Sequence, residues 1–329
     1  MKVSELNGNN GEELAAATAD ILSRGGVAIV PTDTVYGLVC DGLNNKAKER
    51  IFSIKKRSYE KPLIGFADSL EKVREFTEIP AEEMPFIQKN WPGAATFIFK
   101  TRKVIPLITS AAGKTAFRIP RSRFILNVAK QFDVLASTSA NISEEKTPYS
   151  VKEMPDSFKF MADIVIDGGR IAGRPSTIWD VTRKPACLLR GSTLFVCEGN
   201  SCRSPMAEFL LRDLLKLNPR IKTESAGIGI LRCGEASPNT YEAMKEAGIN
   251  LHGFISRPLT TPMLKSADLI FVMDKSQETR IILSCREAEG KITVLNIEDP
   301  IGNDIEAYRK VREILKKRIK ELVLPRICT

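Results

Sequence analysis

The sequence predicts an α/β protein of two domains, residues 1–191 and 192–329, and three observations predict it. The 329 residues exceed the usual size of one domain and are enough for two hydrophobic cores without staples. Beyond residue 192, short β-rich runs alternate with helical runs, the pattern of a doubly wound parallel sheet with helices on both faces. Between the two parts lies Leu188-Leu189-Arg190-Gly191-Ser192-Thr193-Leu194-Phe195-Val196-Cys197-Glu198-Gly199-Asn200-Ser201-Cys202-Arg203-Ser204. Its first half reads as the end of one domain and its second half as the first strand and loop of another.

Composition narrows the classes. Apolar residues are 43% and charged residues 27%, ordinary for a soluble protein. No run approaches the ~18 apolar residues of a membrane span, and Met1–Glu13 is polar and acidic, unlike a secretory signal. Seven cysteines without zinc-like spacing argue against a disulfide framework and against a metal site. The single histidine, His252, excludes catalysis through histidine pairs. A net charge of +9 permits attraction to nucleic acid or nucleotide phosphates, although a basic, lysine-rich surface on an ordinary enzyme is the plainer reading.

In the first part, Leu14, Thr18, Ile21 and Leu22 recur at helical spacing and Gly25-Gly26 stops the helix. Val27–Val30 follows as a buried strand. Pro31-Thr32-Asp33-Thr34-Val35-Tyr36 then places hydroxyls and one carboxylate at a strand end. Lys55, Lys56, Arg57 and Lys61 form a solvated face or gather around a triphosphate. Val134–Ala136 reads as a strand, and Ser137-Thr138-Ser139-Ala140-Asn141-Ile142-Ser143 as a hydroxyl-rich loop after it, able to hold phosphates or ribose by neutral hydrogen bonds. Ser176–Asp180 reads as the start of a strand.

In the second part, Thr193–Val196 is a strand ending at Cys197, and Ser204-Pro205 opens a helix carrying Met206, Phe209, Leu210 and Leu214. Strand, tight loop and helix start form an anion site, because free backbone N–H groups and the helix dipole face the ligand. That field is expected to depress the Cys197 pKa and favour a thiolate nucleophile, a chemistry suited to a reducing cytoplasm. Arg203 offers a bidentate fork to phosphoryl oxygens. Ile221–Ala226, Asp268–Met273 and Ile292–Leu295 read as strands; Pro238–Ala247, Lys275–Ser284 and Ile305–Leu322 read as helices. Ile297-Glu298-Asp299-Pro300 follows the last strand, so Asp299 belongs at the same carboxyl edge as Cys197.

Val196-Cys197-Glu198-Gly199-Asn200-Ser201-Cys202-Arg203-Ser204-Pro205 resembles the low-molecular-weight protein phosphatase signature. The resemblance implies Cys197 as nucleophile, Arg203 as phosphate holder and Asp299 as general acid. It further implies that Asn200 keeps the loop in its strained shape, that Ser204 hydrogen-bonds the thiolate, and that Cys202 traps oxidised Cys197 as a disulfide. A packed small residue is the equal alternative for Cys202. Ser201 stands where tyrosine-type members carry a bulky aliphatic residue and arginine-type members a threonine, and Ile301-Gly302 supplies no aromatic wall. Phosphoarginine is therefore favoured over phosphotyrosine.

Residues 10–191 resemble the YrdC/Sua5 family of threonylcarbamoyl-AMP synthases. The likeness rests on the order of Pro31-Thr32-Asp33-Thr34, Lys55-x-Arg57, Phe117-Arg118, Ser139-x-Asn141, Ser176-Thr177-Ile178 and Arg190. It implies a twisted α/β sheet with a basic cavity that joins L-threonine, bicarbonate and ATP, Mg²⁺ accompanying ATP, into threonylcarbamoyl-adenylate for tRNA t6A37 modification. It implies threonine contacts at Thr34, Arg118, Ser137 and Ser176, and ATP contacts at Lys55, Arg57, Lys61, Ser139, Asn141 and Arg190. Two departures stand out: Glu144 replaces the family's glycine, and Lys114 its threonine. Partners implied are a phosphorylated protein and tRNA or t6A-transferase proteins, with no membrane. Besides two working enzymes, two readings stay open. One is a phosphatase fused to a nucleotide- or RNA-binding module without synthase activity; the other is a regulatory fusion with both sites idle.

Overall fold

The computed structural model describes residues 2–327 except Ala172, Leu217, Leu231 and Arg232. Internal contacts divide the chain into two units, Met1–Ala186 and Cys187–Thr329.

The first unit is a mixed sheet. Its strands are β1 (Lys2–Glu5), β2 (Ala28–Val30), β3 (Gly37–Asp41), β4 (Ile64–Phe66), β5 (Thr77–Glu78), β6 (Ala95–Thr101), β7 (Lys114–Arg118), β8 (Leu135–Ser139), β9 (Ile164–Asp167) and β10 (Thr177–Asp180). They pair in the order β1-β9-β2-β3-β8-β4-β7-β6-β10, with β5 on β6. The helix expected from Leu14, Thr18 and Leu22 is α1 (Gly11–Ser23), whose buried stripe is Ala15, Thr18, Ala19 and Leu22. Its Ala15, Ala19 and Leu22 pack with Val30, Val39, Leu135 and Ile164 into one core. Helix α2 (Asn45–Lys55) starts at Asn44, whose side chain accepts from the Ala47 amide, a cap that satisfies one orphan donor.

The reading of Ser137–Ser139 as loop needs correction. These residues are the second half of β8, paired with β3 from Leu135 opposite Asp41 to Ser139 opposite Gly37. Hydroxyl side chains signal loops because they compete for backbone groups, but here the backbone of β3 takes those bonds first.

The second unit is a four-stranded parallel sheet of β11 (Cys187–Cys197), β12 (Ile221–Gly227), β13 (Leu269–Val272) and β14 (Ile292–Val294). Its order is β12-β11-β13-β14. The chain leaves β11 toward one side and returns to the other, so the strand order switches direction at β11. Ligands in such sheets bind outside the carboxyl ends at that switch, and the carboxyl end of β11 is Cys197. The second unit's helices include α3 (Arg203–Leu214) after β11, α4 (Pro238–Glu246), α5 (Thr261–Ser266), α6 (Lys275–Ser284) and α7 (Ile305–Arg318). The expected helix to Leu322 is α-helical only to Arg318 and continues as a wider π-helical segment, Ile319–Val323. Cys187 is disulfide-bonded, a bond that cysteine spacing did not suggest. No helix among the described residues is long and apolar enough to cross a membrane.

Candidate active sites

In the second unit, the chain turns from β11 into α3 through Glu198–Cys202. Asn200 takes the left-handed conformation, φ 47°, and this turns its amide back on the cysteine. The Asn200 N–H donates to Cys197 Sγ at 3.2 Å, and Ser204 Oγ lies 2.9 Å from the same sulfur. A close approach forces glycine at 227: a Cβ there would meet Glu198 O at 2.7 Å and Asn200 N at 2.9 Å.

The Asn200 side chain ties the loop to its surroundings. It donates to Ser204 Oγ and Ser225 Oγ, each at 2.8 Å, and accepts from the Arg257 N–H at 3.0 Å. Ser225 Oγ donates to Glu208 Oε2 at 2.5 Å, and Arg212 pairs with Glu208 Oε1 at 2.5 Å. Burial raises the Glu208 carboxyl, against the pull of Ser225, Arg212 and Arg257.

Burial also pushes the Cys197 thiol up. The Ser204 hydroxyl and amide, the Arg203 charge and the Asn200 amide all act to lower it, in that order, and do not overcome desolvation. The expected depression is thus corrected for the ligand-free protein. The loop supplies the stabilising groups, but the sulfur is out of water and Arg203 is engaged elsewhere. Arg203 is ion-paired with Asp299, donates to Ile297 O at 3.1 Å, and lies 3.7 Å from Asp274 Oδ2. Cys197, Asn200, Arg203, Ser204 and Asp299 are therefore brought together. Ser201 Oγ is 3.5 Å from Cys202 Sγ, whose other neighbours are Ser237 and Tyr308 hydroxyls at 3.5 and 3.6 Å.

In the first unit, Arg118 is buried, hydrogen-bonded through two of its nitrogens and ion-paired through the third. Nε donates to Gly93 O and Nη1 to Thr34 Oγ1, each at 2.8 Å, and Nη2 lies 2.7 Å from Asp33 Oδ1. Burial lowers its pKa, with Asp33 opposing. Thr34 Oγ1 is 3.0 Å from Thr32 Oγ1, and Thr32 caps the turn by bonding Val35 O. Ser176 Oγ meets Thr96 Oγ1 at 2.9 Å. Ser137 is buried on β8 opposite Val39.

Lys55, at the end of α2, is 1% exposed. Its Nζ donates to Ser139 O at 2.5 Å, Asn141 O at 2.6 Å and Asn141 Oδ1 at 3.1 Å. Ser139 Oγ donates to Asn141 Oδ1 at 2.6 Å. Desolvation, then the Arg57 charge, push Lys55 down to about 7. Arg57 holds the carbonyls of Lys61 and Pro62. The two segments are further joined by Ser143 N–H to Lys55 O at 2.9 Å, and the loop touches the Thr34 turn through Ala140 N–H to Tyr36 O at 2.8 Å. So Lys55, Arg57, Lys61, Ser139 and Asn141 share one region, whereas Arg190 lies on β11 of the other unit.

Both departures have structural consequences. Glu144 has φ 73°, a left-handed position where glycine is free of strain, and it pairs with Lys61 at 3.1 Å. Lys114 pairs with Asp180 at 2.7 Å, so it is committed to the protein. Sequence reasoning missed Asp33 as the partner of Arg118, and Ser225 and Glu208 behind the cysteine loop. Glu208 was legible as the fourth residue after Ser204 on a helix; Ser225 was not, since only strand pairing brings β12 beside the loop.

These sites define a class: a cysteine-centred phosphate loop on a doubly wound sheet, joined in one chain to a mixed-sheet domain with a lysine-clamped hydroxyl loop. Residues 20–192 match the Sua5/YciO/YrdC family model, described as "Telomere recombination", and residues 192–327 match the model "Low molecular weight phosphotyrosine protein phosphatase". The chain belongs to the Sua5/YciO/YrdC family and, through its second unit, to the low-molecular-weight phosphatase family. It is 34% identical over 176 residues to a threonylcarbamoyl-AMP synthase of Pyrococcus abyssi, covering 52% of each chain; it thus spans about half the length of that relative. It is 32% identical over 139 residues to a protein-arginine-phosphatase of Bacillus subtilis, covering 39% of this chain and 92% of that one. The crystal structure of E. coli YciO shares the fold with a TM-score of 0.53 at 23% identity, covering 57% of this chain and 93% of that one.

Proposed function

We propose that the chain is a bifunctional enzyme: an L-threonylcarbamoyladenylate synthase in residues 1–191 and a cysteine-dependent protein phosphatase, arginine-type, in residues 192–329. The observation that carries the phosphatase reading is Cys197 Sγ at the switch point of the sheet, accepting the Asn200 N–H beside Ser204, with Arg203 paired to Asp299. In the first step the Cys197 sulfur bonds to phosphorus, the bond to the leaving nitrogen or oxygen breaks, and Asp299 donates the proton that the leaving atom takes up. Arg203 and the loop amides hold the equatorial oxygens. Water, losing its proton to the Asp299 carboxylate, then cleaves phosphocysteine and restores the thiolate. Ser201, the aliphatic Ile301 after the aspartate, and the similarity to an arginine phosphatase support phosphoarginine as the substrate class. A cysteine nucleophile of this kind is suited to a reducing cytoplasm.

For the synthase, Thr34, Arg118, Ser137 and Ser176 are assigned to L-threonine, Arg118 exchanging Asp33 for the substrate carboxylate. Lys55, Arg57, Lys61, Ser139, Asn141 and Arg190 are assigned to ATP. Mg²⁺ is assigned to the ATP substrate, ligated in part by its phosphates. The product would serve tRNA modification at position 37. Two assays test these readings: pyrophosphate release from ATP, expected only with both threonine and bicarbonate, and kcat/KM for phosphoarginine against phosphotyrosine, with Cys197→Ser as blank. Synthase activity fails if ATP is consumed without threonine or not at all. A preference for phosphotyrosine overturns the arginine assignment.

A further inference from the structure

The buried polar residues behind the cysteine loop form one chain whose hydrogen-bond directions can be worked out. The Arg257 backbone N–H can only donate, so the Asn200 atom it meets at 3.0 Å is the amide oxygen, and the amide nitrogen faces Ser204 and Ser225. The nitrogen has two protons and gives one to each hydroxyl oxygen. Ser225 must then send its own proton elsewhere, and Glu208 Oε2 at 2.5 Å receives it. Ser204 must likewise send its proton elsewhere; among the described residues the remaining partner of its hydroxyl is Cys197 Sγ at 2.9 Å. The sulfur thus accepts from Ser204 O–H as well as from backbone donors, the Asn200 N–H among them, the pattern a thiolate requires.

Every member of this chain is buried: Asn200, Ser204 and Ser225 are 0% exposed and Glu208 is 1%. Ser204, Glu208 and Arg212 stand four residues apart on one face of α3, and Arg212 occupies Glu208 Oε1. Arg257 and Glu224 are the other charges that bear on this carboxylate.

We propose that Glu208 is a positioning residue for the nucleophile, acting through Ser225: by taking the Ser225 proton it makes Ser225 an acceptor, locks the Asn200 amide from the side opposite Arg257, and commits the Ser204 proton to sulfur. This rests on the reading of Cys197 as the nucleophile. In Glu208→Gln, the carbonyl oxygen of glutamine goes to Arg212, and its NH₂ faces Ser225. The Ser225 proton then has no acceptor, and the amide lock is frustrated.

The test is the pH dependence of iodoacetamide alkylation at Cys197 in the full chain, followed by mass spectrometry of its peptide, for Glu208→Gln, Ser225→Ala, the double variant and Ser225→Thr. Expected are upward shifts in the alkylation midpoint and about three- to tenfold slower reaction near neutral pH for each single variant, matching a shift of up to about one pH unit. The double variant should be no worse than Ser225→Ala alone, because both act through one chain. Ser225→Thr, which keeps the hydroxyl, should behave as wild type. Unchanged alkylation profiles in Glu208→Gln, with only urea stability altered, would overturn the proposal, as would additive effects in the double variant. If Glu208→Gln does not fold, a Ser225→Ala profile identical to wild type overturns it by itself. Absence of hydrolysis of both phosphoarginine and phosphotyrosine by the wild type would instead refute the phosphatase reading while leaving the alkylation result to judge Glu208.

Discussion

Replacing Lys55 by methionine separates a residue kept for stability from one kept for function. Lys55 is 1% exposed, and burial takes its ammonium from an ordinary 10.5 down to about 7. A fall of that size means that holding the charge inside costs about 5 kcal/mol relative to holding the neutral amine. Against this stand the bonds that would be lost. Ser139 O keeps the Asn141 N–H at 3.0 Å and Asn141 Oδ1 keeps the Ser139 hydroxyl at 2.6 Å. Only Asn141 O loses its partner among the described residues, worth about 1–3 kcal/mol for a bare buried acceptor. Methionine fills much of the stem's volume, so the balance favours the variant by on the order of 2 kcal/mol at neutral pH, as when buried ions give way to apolar groups.

The sign with pH follows from proton counts. Between about 7 and 10.5 the unfolded chain holds the Lys55 proton and the folded chain does not, so this lysine makes wild-type stability climb with pH over that window. Below about 7 the cost is present in full; the methionine variant lacks the dependence. Both tryptophans, Trp91 and Trp179, lie in the first unit, so urea unfolding followed by tryptophan fluorescence at pH 7 and 9 reads that unit within the full chain. The variant should be at least as stable as wild type at pH 7, with the gap narrowing at pH 9, while ATP binding falls by tenfold or more. A variant destabilised by several kcal/mol that still binds ATP as tightly would refute the reasoning and make Lys55 a structural clamp.

Three further outcomes are expected. Glu144→Gly should tighten ATP binding about three- to fivefold, as removal of one exposed negative charge beside Lys61 implies, measurable by calorimetric titration; weaker binding would show that the carboxylate assists the nucleotide. Gly227→Ala should lower phosphatase kcat by about 100-fold or more, since its Cβ would meet Glu198 O at 2.7 Å and displace loop donors that stabilise transition-state charge, and ATP binding by the first unit should be unchanged. Cys197→Ser should abolish turnover and shift unfolding by no more than about 1 kcal/mol, as a near-isosteric change; residual burst kinetics would point to another nucleophile.

What could be read from the sequence was local. The strand ending at Cys197 and the helix Lys275–Ser284 are set by runs of neighbouring residues and stand where the sequence pattern put them, and the helix expected to open at Ser204 begins one residue earlier, at Arg203. The missing glycine at 144 was visible too, but its meaning was not: only the backbone shows φ 73°, the conformation that makes glycine the easy residue there. Contacts across strands were out of reach. Ser137–Ser139 looks like loop by composition because β3, whose pairing makes it strand, lies about a hundred residues earlier in the chain. Asp33 and Arg118 are 2.7 Å apart with no periodicity linking them. The Cys197 thiol was misjudged for a related reason: the favourable field follows from strand, loop and helix, whereas the opposing desolvation depends on everything packed over the sulfur.

One pattern runs through both sites. Four of the cations proposed to meet a substrate anion are already answered by the protein: Arg118 by Asp33, Lys61 by Glu144, Arg203 by Asp299, and Lys55 by the oxygens of Ser139 and Asn141. A buried guanidinium left bare would cost several kcal/mol, so some partner has to be present before the substrate is. With a resident carboxylate, substrate binding becomes an exchange of one anion for another, and the desolvation of the cation has been met during folding. The exchange also has a chemical result in the second unit. On the phosphatase reading proposed above, a phosphoryl group that takes Arg203 releases Asp299 from its ion pair and leaves that carboxyl free to face the leaving atom.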